Sequence, residues 1–303
     1  MKKQIIFIAA NMIILFSLST GLRAATFSMG PSVWYAWWDP IFSIGTNDFE
    51  MDPAPLYGVA LGLGFTNWNF GLRVYYGQYE ASWTQNITYS DNTRSSTRYE
   101  NIEVSRLDID FVATRKINNE FKWFLGLKIQ YYETSGEGNF IYYAANPANN
   151  EQGTIPYGID EIRLGPGIGL SYTANLGNSF FLIGNTSALL LLYEFRPNYP
   201  GYSKSQTDGN KIEKEGDEHG LKYSALAYGI NLTLDIAYYA SSLNTTFLLG
   251  YRFQGVRFKT NSYESEYGGD EQFAPDYGTA TEDVYDGEYE YFHGISLTAI
   301  YSF

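Results

Sequence analysis

The chain has 303 residues, and its 20 Lys and Arg stand against 33 Asp and Glu, which gives a formal net charge of −13. This acidic balance argues against nucleic acid as a partner, because binding a phosphate backbone requires a basic face. The chain has no Cys, which excludes disulfide scaffolds, thiolate metal sites and cysteine nucleophiles. Only His219 and His293 are available for imidazole chemistry. We predict neither a cofactor nor a bound metal.

Residues 1–24 have the pattern of a secretory signal peptide. Lys2 and Lys3 precede an apolar run of fourteen residues, 5–18, and Ala24 supplies the small residue expected at a cleavage site. Fourteen apolar residues are too few for a membrane-spanning helix, which needs about 20. The sequence therefore predicts an exported chain whose mature part is 25–303.

The mature chain consists of segments in which apolar residues recur at every second position. In residues 121–131, Trp123 and Leu125 fall on one face, whereas Lys122 and Lys128 fall on the other. Since successive side chains of a strand point to opposite faces, each segment predicts a strand with one apolar face and one small or polar face. Ten strands are predicted, at residues 26–38, 56–65, 70–77, 106–113, 121–131, 162–172, 179–194, 226–236, 247–254 and 295–303.

The predicted connections alternate in length along the chain. Short ones lie near 66–69, 115–120, 174–179 and 239–244, and long polar ones lie near 39–54, 83–98, 135–157, 195–220 and 261–288. Strands of roughly 9–11 residues can cross a bilayer at a tilt, and alternating turns and loops are typical of transmembrane barrels. The predicted fold is all-β: a transmembrane, antiparallel, up-and-down barrel of about ten strands in the bacterial outer membrane. Its short turns would be periplasmic and its long loops extracellular.

Tryptophans lie near the ends of the predicted strands. Trp68 and Trp123 are close to short turns, whereas Trp37, Trp38 and Trp83 are close to long loops. Because indoles prefer the interfaces between water and lipid, this placement predicts two aromatic girdles around the outside of the barrel.

The chain ends in an alternating segment that is closed by a terminal Phe. This end resembles the C-terminal strand of bacterial outer-membrane proteins, and the resemblance implies that Tyr301 and Phe303 belong to the signal read by the barrel-assembly machinery. In strand number and loop lengths the chain is also similar to the ten-stranded omptin proteases. The expected partners are therefore outer-membrane lipid and the assembly machinery.

The similarity to omptins implies a catalytic pattern that can be compared residue by residue. Omptins carry an Asp-x-Asp pair and an Asp-x-His pair on opposite sides of the barrel rim. Asp217 and His219 match the second pair, but the second long loop offers only Asp91 toward the first. The one Asp-x-Asp present, Asp108 and Asp110, falls within a predicted strand and points into the barrel. The sequence favours a protein without catalysis, and an omptin-like endopeptidase using Asp217 and His219 is an alternative.

Charged residues on the inner faces of the strands form a second candidate site. A buried charge is stable only when it is paired or hydrated, so opposite signs at similar depth indicate a network across the lumen. Such a network could be the selectivity filter of a narrow channel. A plug of ion pairs is favoured, because ten strands enclose little space. The predicted members are Arg73, Arg106, Asp108, Asp110, Lys122, Lys128, Arg163, Asp235 and Arg252.

The last long loop is strongly acidic. Residues 261–290 contain ten acids and no Lys or Arg, with Tyr residues interleaved. An acidic surface attracts basic partners or divalent cations, and Tyr is an effective contact residue, so we predict an adhesin-like surface-binding role. A loop that only keeps the surface soluble is the alternative. The candidate binding residues are Glu264, Glu266, Asp270, Glu271, Asp276, Glu282, Asp283 and Asp286.

Overall fold

The structure, a computed structural model, describes residues 26–41, 47–88, 93–144, 146–147, 150–207, 210–266 and 287–303. The predicted signal peptide, 1–24, lies outside these residues. The described chain forms eleven strands: β1 Thr26–Asp39, β2 Asn47–Met51, β3 Ala54–Gly64, β4 Trp68–Thr88, β5 Arg94–Lys116, β6 Phe121–Tyr143, β7 Glu151–Gly177, β8 Phe180–Thr207, β9 Asn210–Ala240, β10 Thr245–Glu266 and β11 Tyr289–Ser302.

Ten of these strands close into one antiparallel barrel. Each strand from β3 to β11 pairs with the next along the chain, and β1 lies between β3 and β11 to complete the ring. The short strand β2 pairs only with the outer part of β4 and is not part of the ring. At the closing seam Gly294 lies opposite Ala36, where a Cβ would overlap the carbonyl oxygen of Tyr35. The predicted all-β, ten-stranded, up-and-down barrel is confirmed.

The apolar face of each strand points away from the lumen. On β9, Leu232 and Leu234 are 39% and 55% exposed, whereas the intervening Thr233 and Asp235 are 9% and 5% exposed. A row of exposed Leu and Ile would be unfavourable in water, but it suits a barrel surrounded by hydrocarbon. The alternation therefore orients the barrel with its polar face inside, as the sequence predicts.

Aromatic residues border this apolar belt, but two tryptophans lie elsewhere. Trp68 and Trp123 pack edge to face at 5.6 Å near the short turns, and Trp37 is exposed on the outside near the other end. Trp38 and Trp83 are instead buried inside the barrel. Their predicted place in an outer girdle is wrong, because the pleat of the strand, and not the distance to a loop, decides which face carries a side chain.

Several strands are much longer than predicted. β6 and β7 extend through most of 135–157, and β8 and β9 extend through most of 195–220, so these segments are hairpins and not long irregular loops. Hydrogen bonds between neighbouring strands continue past the belt without any apolar alternation, and the sequence pattern that reveals strands is lost there. The wall of the barrel therefore rises well beyond the lipid-facing belt.

The opposite end of the barrel carries the short turns and both described termini. At the β7–β8 turn, Asn178 and Ser179 adopt φ values of 49° and 67°, the left-handed pair that suits the twist of a two-residue hairpin. The backbone N–H of Phe303 donates to the carbonyl of Phe27 at 2.9 Å, which ties the last residue to the first strand. No helix in the described ranges is long and apolar enough to cross a membrane.

Candidate functional site

Strands β5 and β6 place a charged group at the centre of the lumen. Arg106 Nε donates to Asp108 Oδ2 at 2.7 Å, and Gln130 Nε2 donates to Asp108 Oδ1 at 2.7 Å. Arg106 and Asp108 are 0% and 1% exposed, so the pair is removed from water. Both oxygens of Asp108 are thus satisfied at short range, whereas Nη1 and Nη2 of Arg106 have no acceptor among the described residues and its guanidinium lies over an aromatic ring.

Asp110 connects two opposite walls of the barrel. Its carboxylate accepts a hydrogen bond from Lys128 Nζ at 2.7 Å and another from Arg252 Nη2 at 3.0 Å. β5 and β10 are five strand steps apart in either direction around the ring, so the contact with Arg252 crosses the full width of the lumen. A second contact across the lumen is the hydrogen bond that Gln254 Nε2 donates to Gln130 Oε1 at 3.2 Å.

A third buried group surrounds Arg163. Its guanidinium donates to both carboxylate oxygens of Glu290, with the Nη2 to Oε2 bond at 2.8 Å, and to Glu161 Oε2 at 3.0 Å. Glu290 Oε2 also accepts the backbone N–H of Ile41 at 3.1 Å. This contact draws the chain just after β1 into the mouth of the barrel, where Ile41 packs with Phe258 and its neighbours.

Two acids of this group were missed by the sequence reasoning. Glu161 was not singled out, and Glu290 was counted among the solvated acids of the last loop. The structure buries both at 1% exposure. The alternation of side chains along a strand would have placed both acids on the inner face. Glu161 is two residues from Arg163, and Glu290 is two residues from Phe292, so each pair points to the same side.

Aromatic rings fill the space around the three arginines. The guanidinium carbons lie 3.4 Å from the ring centroid of Phe292 for Arg106, 4.2 Å from Trp34 for Arg252, and 4.5 Å from Tyr132 for Arg163. Cation–π attraction strengthens where water is excluded, as it is here. The ion pairs and rings together form a plug, which we call the lumen plug. Its arginines are at most 3% exposed, which indicates that the outer part of the lumen is filled.

The lumen is not filled at its other end. Between the plug and the short turns lies a cavity of about 330 Å³. Arg73 and Lys122 line it, and neither forms an ion pair within the described ranges. Asp235 faces the lumen nearby without an ion pair of its own among the described residues. Of the nine predicted lumen charges, six therefore meet in the plug and three remain outside it.

The predicted catalytic residues belong to the outer end of β9. The backbone of His219 is paired with Tyr199 of β8, and Asp217 lies on the same strand. Their side chains lie outside the described part of the structure. Asp108 and Asp110 are held in buried ion pairs deep in the lumen, so they are not available at the rim. The described residues contain no group of three or more His, Asp or Glu that could hold a metal ion.

The acidic stretch is only partly described. The backbone of Glu264 and Glu266 is paired with β9, so these two residues belong to a strand and not to a loop. The other predicted binding residues, Asp270, Glu271, Asp276, Glu282, Asp283 and Asp286, lie outside the described residues.

Above the lipid-facing belt, burial raises the pKa of the Tyr79 phenol beside Trp38, and the nearby Arg106 only partly opposes this effect.

Comparison with solved structures decides the class of the barrel. The outer membrane protease OmpT from Escherichia coli superposes with a TM-score of 0.57 at 12% identity, covering 92% of this chain and 96% of that chain. The fold is that of a bacterial outer-membrane β-barrel. The identity of 12% shows the fold alone. No protein-family model matches the sequence, and no curated protein matches it.

Two other outer-membrane barrels superpose with lower scores. A FadL homologue from Pseudomonas aeruginosa gives a TM-score of 0.31 at 10% identity, covering 91% of this chain and 89% of that chain. The toluene transporter TodX from P. putida gives 0.30 at 10% identity, with 93% and 90% covered. The OmpT likeness and the outward apolar belt together support a location in the bacterial outer membrane.

The lumen plug leads to a first prediction. We predict that planar bilayers containing the refolded barrel show no large, steady conductance, because the buried pairs of Arg106, Arg163 and Arg252 leave no continuous water path through the outer lumen. Single-channel recording measures this directly. A steady conductance whose ion selectivity changes in Arg106→Gln or Asp110→Asn would contradict the prediction and make the plug a filter.

Proposed function

We propose that this outer-membrane barrel is a surface-binding protein that acts through its extracellular hairpins, without catalysis. The observation that carries the proposal is the closed outer lumen combined with strands that rise well beyond the lipid belt. A barrel whose interior is filled by ion pairs offers its outer surface, and not its pore, to other molecules. A narrow channel is correspondingly disfavoured as the function.

The chemistry of the outer surface supports a basic partner or a divalent cation as ligand. The exposed acids on the outer parts of β4 to β6 lie at least three strand steps around the ring from β10 and β11, and one of them, Glu100, is paired with Arg98; these acids are Glu80, Glu100, Glu103 and Glu137. The segment between β10 and β11 adds further acids and Tyr residues without a single Lys or Arg. Clustered charges of one sign attract opposite charges over roughly 8 Å at physiological ionic strength. Binding to such a surface should therefore weaken as salt is added.

The proposal is tested with substitutions that neutralise acidic side chains and delete no residue. We predict that neutralising Asp270, Glu271, Glu282 and Asp283 together, as Asn or Gln, lowers binding of a fluorescent decalysine peptide to cells displaying the protein several-fold. The loss follows from fewer attractive charges at the contact. A matched control neutralises four other exposed acids: Glu80→Gln, Glu100→Gln, Glu103→Gln and Glu137→Gln.

The outcomes separate the candidate functions. Loss of decalysine binding in the first variant but not in the control supports a binding site between β10 and β11. Equal loss in both variants would leave only a diffuse charge effect and would contradict a defined site. The similarity of the fold to a protease makes peptide cleavage the second readout. Cleavage of decalysine by the wild type that His219→Ala abolishes would overturn the proposal in favour of an omptin-like endopeptidase using Asp217 and His219.

A further inference from the structure

The cavity on the inner side of the lumen plug has a charge opposite to that of the whole chain. The protein carries a net charge of −13, yet the cavity lining includes four basic side chains and a single acid, Asp110. The four bases are Arg73, Lys122, Lys128 and Arg252. Lys128 and Arg252 are buried, whereas Arg73 and Lys122 are half-buried in the cavity wall.

The plug compensates only part of this charge. Asp110 is shared between Lys128 and Arg252, and Asp108 takes a second contact from Lys128 at 3.5 Å. Arg73 has no ion pair in the described part of the chain, although Asp235 lies within electrostatic range of it. Lys122 likewise has no ion pair among the described residues. Two cations therefore line the cavity without an ion pair among the described residues.

Arg252 lines the same cavity, but its guanidinium lies over the ring of Trp34 and is hydrogen-bonded to Asp110. The side chain is 3% exposed, and its Nε and Nη1 find no acceptor among the described residues, while Nη2 is taken by Asp110. A guanidinium presents its donors in a planar fork that matches the oxygens of a phosphate or carboxylate. Arg73 is half-buried in the cavity wall and has no ion pair among the described residues, so its guanidinium can offer this fork to an anion in the cavity.

The neighbouring side chains and the position of the cavity restrict the range of ligands that could bind there. Asn69, Ser171 and Asn185 supply neutral polar groups to the lining, and Asn69 and Lys122 are next to short turns, so the cavity reaches the periplasmic end of the barrel. Its volume of about 330 Å³ lies at the small end of the range typical of ligand pockets. We infer that the periplasmic half of the lumen is a binding site for a small anion that carries a phosphate group.

Isothermal titration of the refolded barrel in a neutral detergent, with inorganic pyrophosphate as the probe, tests this inference. We expect saturable binding of one pyrophosphate per barrel. The double variant Arg73→Gln/Lys122→Gln should weaken the affinity by about tenfold or more, because it removes two charge-assisted contacts. The matched control Arg98→Gln/Lys259→Gln removes two exposed bases from the outer part of the barrel and should leave the affinity unchanged.

Folding is monitored by the faster migration of the unheated barrel on detergent gels. Should the double variant fail to fold, the single variants Arg73→Gln and Lys122→Gln replace it, since neither side chain forms a described ion pair. A parallel titration uses dihexanoyl phosphatidic acid to distinguish a lipid headgroup from a free solute. If this lipid also binds, its competition with pyrophosphate assigns both ligands to one site. No saturable heat at millimolar pyrophosphate, or the same loss in the control as in the cavity variant, would overturn the inference. This site is on the periplasmic side, so its failure would leave the proposed surface function untouched.

Discussion

Replacing Arg163 with Met is expected to lower the free energy of unfolding of the barrel by about 3–5 kcal/mol. The guanidinium is 0% exposed and is the partner of two carboxylates, Glu161 and Glu290, which are each 1% exposed. Removing it leaves two negative charges facing each other without water. Urea titration of the protein refolded in lipid vesicles, followed by Trp fluorescence, measures the change.

Two further variants give this prediction its controls. Arg98→Met breaks the ion pair with Glu100, whose members are 70% and 48% exposed, and should cost less than about 1 kcal/mol because water already screens the pair. Combining Arg163→Met with Glu161→Gln and Glu290→Gln removes the unpaired charges and should recover part of the lost stability. If Arg163→Met costs no more than Arg98→Met, the plug is hydrated and the lumen is not closed as described.

Replacing Leu232 with Arg is expected to cost about 2–4 kcal/mol of unfolding free energy in vesicles. Leu232 points outward between Tyr228 and Tyr238, which border the apolar belt on β9. A guanidinium there must enter the hydrocarbon or distort the bilayer around it. The same urea titration in vesicles detects the loss.

Leu243 provides the matched control for this change. It is 58% exposed in the short turn Ser241–Leu243, outside the belt, so Leu243→Arg exchanges the same side chains in water. We expect a change within about 0.5 kcal/mol at this position. Equal costs at the two positions would show that the outward apolar face is not the face that contacts lipid.

Much of the architecture could be predicted because a strand has a strict period of two. Alternation identified eight strands and separated Leu232 from Thr233 and Asp108 from Ile109, and two further segments, 26–38 and 179–194, completed ten. The short turns indicated an up-and-down order. A barrel wall has one face in lipid, and apolar residues must therefore occupy every second position within the belt. The same alternation predicted that nine charged side chains point into the lumen.

Beyond the lipid-facing belt, strands need no apolar face, so alternation no longer reveals them. Backbone pairing continues through 195–207 and 210–220 without an apolar face, so the sequence predicted a loop where the structure has a hairpin. Trp38 and Trp83 were placed by their distance from loops, although their parity puts them inside. Hydrogen bonding between strands requires no particular side chain, and sequence patterning is silent wherever both faces meet water.

By itself, the sequence determined the class of the barrel, the faces of its strands and the set of charges that points inward. Only the tertiary structure decided which of those charges meet. Arg252 and Asp110 are 142 residues apart and touch because their strands lie opposite each other in a ring of ten. Glu290 became the partner of Arg163, while Arg73 and Lys122 were left facing the cavity. Parity along a strand is a local property, but pairing across a lumen depends on the closure of the ring and the depth of each residue, which are properties of the whole fold.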